Sequence, residues 1–103
     1  MTNIPFHTIS TSLVTEAELN EISKRSLTKE QLLLKIVEES SELSAGICKF
    51  LNKPNIDPYV FLEELVDVEL LISQFRYNYP ELEETLRSIK SEKLKKVAER
   101  FSK

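Results

Sequence analysis

LTKEQLLLKIVEESSELSAGICKFL, residues 27–51, places Leu32, Ile36, Leu43, Ile47 and Phe50 at intervals of three, four and seven, the spacing of one face of an α-helix. Ser26 to Thr28 offers a start and Asn52-Lys53-Pro54 a stop, so the stretch predicts one helix of about six turns. Downstream, NKPNIDP (52–58) is a loop, with Asp57 as N-cap and Pro58 at the first position of a third helix that ends near Asn78. Pro80 restarts the chain, and Leu82, Leu86, Ile89, Val97 and Phe101 keep helical spacing through a fourth helix. Upstream, Thr15 with Glu18 has the form of a capping box and opens a short helix through about Lys24. Residues 1–14 lack helical periodicity and read as an irregular arm lying on the bundle or on a partner subunit. The fold class that follows is all-α: an antiparallel helix bundle of three long helices and one short N-terminal helix, forming one domain over 1–103.

Composition agrees. A chain of 103 residues, 41% hydrophobic and 30% charged, is one globular domain near the lower limit for a single buried core. No apolar run approaches the roughly 20 residues of a membrane span, and MTNIPFHTIS lacks the basic and apolar blocks of a secretory signal. A cytoplasmic protein is expected, without membrane association. The single cysteine, Cys48, makes no internal disulfide, and with one histidine, His7, there is no zinc-type cluster. The net charge of −3 argues against broad nucleic-acid binding, although from Arg87 onward seven basic residues face only Glu92 and Glu99.

An internal echo carries the chemistry: EESSEL at 38–43 is answered by EELVDV at 63–68. At about 100° per residue, Glu39 and Glu42 sit about 60° apart and one turn displaced, as do Glu64 and Asp67. Both pairs border apolar stripes rather than the solvent face. The short intervening loop makes their helices antiparallel neighbours, so four carboxylates meet across the bundle. Crowded, partly desolvated carboxylates must protonate or bind cations, and an all-oxygen set suits hard ions, Mg²⁺ or Mn²⁺. For Glu38 and Glu63, one step further round, a water-orienting role and simple solvation both fit. A di-iron bundle would need Glu-x-x-His on two helices, and the lone His7 cannot supply it.

Cations lie where a polyphosphate would need them. Lys93 and Arg100 share the side of the fourth helix that carries Leu86, Ile89 and Val97, and with Lys96 either snorkel to water or bind phosphate. Gln31, Lys35 and Lys49 run along the edge of Glu39 and Glu42, placed for phosphate, for pairing with the acids, or for both. Gly46, the only glycine, costs about 1 kcal/mol mid-helix relative to Ala; close approach of a ligand or helix would explain it, and mere tolerance of the residue fits equally. Asn78 is a candidate for contacting a base, and Tyr77 and Tyr79 for stacking or core packing.

These residues resemble the all-α nucleotide pyrophosphohydrolases of the MazG-like and dimeric dUTPase type, whose E-E-x-x-E, spacer, E-x-x-D pattern is matched by Glu38-Glu39-Ser40-Ser41-Glu42, a 21-residue spacer and Glu64-Leu65-Val66-Asp67. The likeness runs from about Gln31 to Phe101. QLLLKIVEESSELSAGICKF, EELVDVELLISQF and KLKKVAERF look like the compact single-domain members of phage and bacterial genomes. The resemblance implies Mg²⁺ held by Glu39, Glu42, Glu64 and Asp67, with Glu38 matching the leading glutamate and Lys93 and Arg100 the basic positions near the C-terminus. It implies hydrolysis of a nucleoside triphosphate to the monophosphate and pyrophosphate, in a homodimer or homotetramer whose neighbouring helices complete the pocket. The chain lacks Trp, which some relatives stack on the base, so base preference does not carry over.

Two rival readings belong to other classes. One is a catalytically inactive helical nucleotide-binding or assembly module, and the other a purely structural bundle in which the acids pair with Lys35, Lys49 and Lys93.

Overall fold

The computed structural model describes residues 14–53 and 55–102. Among them the chain is all-helical, with four α-helices and no strand. We label them α1 (Glu16–Ser26), α2 (Lys29–Asn52), α3 (Tyr59–Asn78) and α4 (Glu83–Phe101), with a 3₁₀ turn at Pro80–Leu82 before α4. No helix among the described residues is long and apolar enough to cross a membrane. Of the expected arm over 1–14, residues 1–13, His7 among them, lie outside the described residues, and Val14 is non-helical and exposed.

The helix starts follow local hydrogen bonding. Thr15 accepts from the Glu18 amide at 3.0 Å while Glu18 accepts from the Thr15 amide at 2.9 Å, the reciprocal box read in the sequence. Thr28 and Gln31 repeat the device at the head of α2, with Gln31 Oε1 accepting from the Thr28 amide at 2.8 Å. At α3 the expectation of Asp57 as N-cap and Pro58 as first helical residue is displaced by one: regular helix begins at Tyr59 and Pro58 is the cap residue, with no side-chain cap, while Asp57 just before it accepts from the Tyr59 amide at 2.9 Å. The first turn there is tight: the Phe61 amide donates to the Pro58 carbonyl three residues back.

α2 and α3 form the central antiparallel pair. Each turn back along α2 meets a turn forward along α3, from Gly46 against Phe61 to Lys35 in the cleft that contains Gln74. A Cβ at Gly46 would lie 3.1 Å from Phe61 Cβ and 3.3 Å from the Val60 carbonyl oxygen, so the glycine serves close helix approach. The Phe50 and Phe61 rings meet edge to face at 5.4 Å just beyond it. α1 runs alongside the C-terminal half of α3 in the same sense: Asn20 Nδ2 donates to Ser73 Oγ at 3.1 Å, and Tyr77 donates to Glu21.

α4 departs from the expected bundle. Among the described elements it packs on the preceding 3₁₀ turn rather than on α2 or α3, and every residue from Arg87 to Ser102 is exposed. An ion pair between Arg76 and Glu83 ties its start to the end of α3. The core inside one chain is correspondingly thin: among the described residues only Leu32, 1% exposed, and Leu71, 7% exposed, are buried hydrophobics.

Candidate functional site

The register set by Gly46 and the Phe50–Phe61 contact brings the acidic turns of α2 and α3 together. Glu39 from α2 and Glu64 and Asp67 from α3 each place a carboxylate oxygen within 4.8 Å of the other two. Glu42 lies outside that trio, but its charge, like that of Glu39, bears on Glu64, so Glu64 is the acid that both neighbouring acids of α2 crowd. Glu39 and Glu64 are half-buried, Glu42 and Asp67 exposed.

The electrostatics follow from this crowding. Glu64 is pushed from 4.5 up to about 7, first by its hydrogen bond with Glu39, then by burial, then by the charge of Glu42. Its Oε1 is buried without a hydrogen-bond donor. Close carboxylates of this kind can share a proton or a cation but cannot all be charged without cost. Among the described residues no lysine or arginine forms an ion pair with these acids, the one ion pair being that of Arg76 with Glu83. The structural reading in which Lys35, Lys49 and Lys93 neutralise the cluster is therefore not realised among the described residues.

Beside the acids is a cleft of about 220 Å³ lined by Lys35, Glu39, Asp67, Leu70, Leu71 and Gln74. It brings a cation, two carboxylates and a buried amide to one place, on an apolar floor. An oxygen-rich donor set with an orphaned buried carboxylate oxygen fits a hard divalent cation, and Lys35 and Gln74 beside it offer a charge and a hydrogen-bonding amide to an anionic ligand.

No protein-family model, no curated protein and no solved structure matches the chain.

The remaining candidates divide by element. Lys93, Lys96 and Arg100 are exposed on α4, which does not carry them to the acids of its own chain. Lys49 is exposed near the end of α2, and Glu38 and Glu63 are exposed on the outer flanks, Glu63 accepting a long hydrogen bond from Tyr59 Oη at 3.4 Å. Gln31 has its amide oxygen occupied by the α2 cap. Asn78 is half-buried with Oδ1 lacking a donor. Tyr77 is held by Glu21, whose hydrogen bond raises the phenol's pKa, with Lys24 over its ring; Tyr79 packs on Phe75 under Lys29.

Sequence reasoning missed Gln74, which is buried beside the cluster, and the polar seam of α1, where Asn20 and Ser23 are buried against α3. Gln74 stands seven residues after Asp67 and so two turns along the same face, a spacing that could have found it. Asn20 and Ser23 occupy helix positions an apolar pattern would assign to the core, and only the packing reveals them.

Proposed function

We propose that the chain is a Mg²⁺-dependent nucleoside triphosphate pyrophosphohydrolase of the MazG-like, dimeric dUTPase type, converting a (d)NTP to the (d)NMP and pyrophosphate as a homodimer or homotetramer. The observation that carries the reading is the convergence of Glu39, Glu64 and Asp67 from two helices, with Glu42 against Glu64. Support also comes from the buried, donorless Glu64 Oε1 and from the lack of a neutralising ion pair among the described residues.

Glu39, Glu42, Glu64 and Asp67 would hold the metal, with Mn²⁺ as a substitute. When bound, Mg²⁺ supplies positive charge that offsets the phosphates and makes water more acidic. Lys35 supplies charge to the polyphosphate at the mouth of the cleft, and the Gln74 amide donates to an oxygen beside it. A carboxylate of the cluster accepts the proton of the attacking water as the bond to the pyrophosphate leaving group breaks, and no covalent enzyme intermediate is needed. Most of the rate comes from holding water, phosphorus and leaving group in line.

Incubation of the purified protein with canonical and modified dNTPs and NTPs, with Mg²⁺ and with EDTA, followed by quantification of pyrophosphate, tests the reading. Metal-dependent release from at least one nucleotide is expected, and its abolition by Glu42→Gln or Asp67→Asn in a variant of unchanged helicity. Undiminished turnover in either variant would remove the assignment. The exposure of α4's cations, away from the acids of the same chain, favours the inactive-module reading as the alternative, and the same assay separates the two.

A further inference from the structure

α1 is held to the rest of the chain by polar groups. Of its 11 residues, Asn20 and Ser23 are buried and Leu19 is half-buried, while Ala17 and Ile22 face solvent. Asn20 Nδ2 donates to Ser73 Oγ at 3.1 Å, and at the rim Tyr77 donates to Glu21. The other polar atoms of this seam are not matched: Asn20 Oδ1 and Ser23 Oγ are buried without a hydrogen-bond partner. Docking thus strips water from both groups without replacing it, and little apolar area offsets the loss. The α2–α3 pair is built differently, with Leu32 and Leu71 buried and the Phe50 and Phe61 rings in contact. An element whose buried contacts are few and polar is the first to open.

The joint and the caps suit such a motion. Leu27 and Thr28 are both extended, at φ −119°, ψ 139° and φ −76°, ψ 168°, so α1 ends and α2 starts anew across two residues. The capping boxes of Thr15 with Glu18 and of Thr28 with Gln31 each close within their own helix. Turning about Leu27–Thr28 therefore breaks no helical hydrogen bond, as a hinge between two rigid elements requires.

What α1 covers gives the motion a consequence. At about 100° per residue, Ser73 and Tyr77, which α1 touches, lie about 100° and 60° to one side of Gln74. Leu71, which borders the cleft with Lys35 and Glu39 of α2, lies about 60° to the other side. Gln74 is thus set in the angle between α1 and α2, 7% exposed, about 10 Å along α3 from Asp67 and in the wall of the same cleft.

We infer that α1 is a hinged strap: it swings from α3 about Leu27–Thr28 while α2 and α3 stay paired, and in its closed position it seals the Gln74 end of the cleft. The inference goes beyond the hydrolase reading and does not depend on it, since opening is read without turnover.

Hydrogen exchange of the full chain in EDTA, followed by mass spectrometry, tests the motion. Relative to their intrinsic rates, the amides of residues 19–26 are expected to exchange about tenfold or more faster than those of residues 32–47 in α2. Ser23→Ala removes a buried, unpartnered hydroxyl and is expected to slow exchange in α1 several-fold while leaving α2 unmoved. Ser26→Ala, a comparable gain in helix propensity on the exposed side of α1, is expected to slow it less. The seal is read in a Cys48→Ser chain carrying Gln74→Cys, whose thiol is expected to react with a soluble alkylating agent at the rate of α1 opening, several-fold more slowly once Ser23→Ala is added. If Gln74→Cys fails to fold, Ser73→Cys, one residue along and beneath Asn20, takes its place. Equal protection of α1 and α2 overturns the inference, because the helices then open as one unit. Faster exchange in Ser23→Ala overturns it too, since the hydroxyl would then hold α1 down through a buried water. Thiol reactivity indifferent to Ser23→Ala overturns the seal, because Gln74 would then be reached through the cleft.

Discussion

Glu64 carries the sharpest consequence at the scale of one residue. Its carboxyl holds its proton more tightly in the folded chain, at about 7, than at the ordinary 4.5, so the stabilisation it gives is fully present below about pH 4.5 and is lost as pH rises through about 7. In EDTA, the melting temperature is expected to fall between pH 5 and pH 8, and Glu64→Gln, which keeps a neutral hydrogen-bonding group beside Glu39, is expected to flatten that part of the curve. A wild-type slope unchanged in the variant would show that Glu64 is not the group responsible. Adding Mg²⁺ at pH 8 is expected to raise the wild-type melting temperature and to leave Glu64→Gln nearly unmoved, because the ion competes with the proton for the same oxygens. Gly46 is the second decisive residue. Ala there would gain about 1 kcal/mol of helix propensity but push a methyl against the Val60 carbonyl and the Phe61 backbone, neither of which is a flexible side-chain end. Overpacking of this kind costs about 1–3 kcal/mol, so a net loss on the order of 1 kcal/mol is expected in urea denaturation at fixed protein concentration.

At the scale of elements, the capping boxes and the loops fix where helices begin, and the α2–α3 register decides what they present. Removing the Thr28 hydroxyl by Thr28→Ala strips the Gln31 amide of its partner and is expected to cost about 1 kcal/mol, read as a lower melting temperature without change in pyrophosphate release. The element boundaries of α1, α2 and α3 were legible from Thr15-Glu18, Thr28, Asn52-Lys53-Pro54 and Asn78, because each signal is a local hydrogen bond or a local steric conflict. The one-residue shift at Pro58 arises because a tight first turn, closed back on the Pro58 carbonyl, precedes regular helix. The position of α4 was not legible. Its apolar spacing announces a buried stripe but carries no information on which surface, or whose, buries it.

At the scale of the whole molecule, only Leu32 and Leu71 are buried hydrophobics among the described residues, which leaves apolar surface on α3 and α4 for the proposed homo-oligomer to cover. Thermal stability is therefore expected to depend on protein concentration, the midpoint rising by several degrees per tenfold increase, as for any fold coupled to association. A midpoint constant from about 1 to 100 μM would speak for a self-sufficient monomer. The same assembly would decide how far α4's cations stand from the acidic turns, since within one chain α4 does not carry them there.

The sequence by itself determined the helical class, the starts and stops of α1, α2 and α3 to within one or two residues (α1 ends at Ser26 rather than about Lys24, and α3 begins at Tyr59 rather than Pro58), and the pairing of two acidic turns, since each depends on spacing along one helix or on a loop too short to allow anything but antiparallel neighbours. It also singled out Gly46, though not what approached it. Only the tertiary structure decided that Phe61 fills that approach, that Glu64 rather than another acid sits at the crowded centre, that Gln74 joins the cleft, and that α4 stands apart. Those outcomes depend on how two helix surfaces mesh in three dimensions, which spacing along a single helix does not determine.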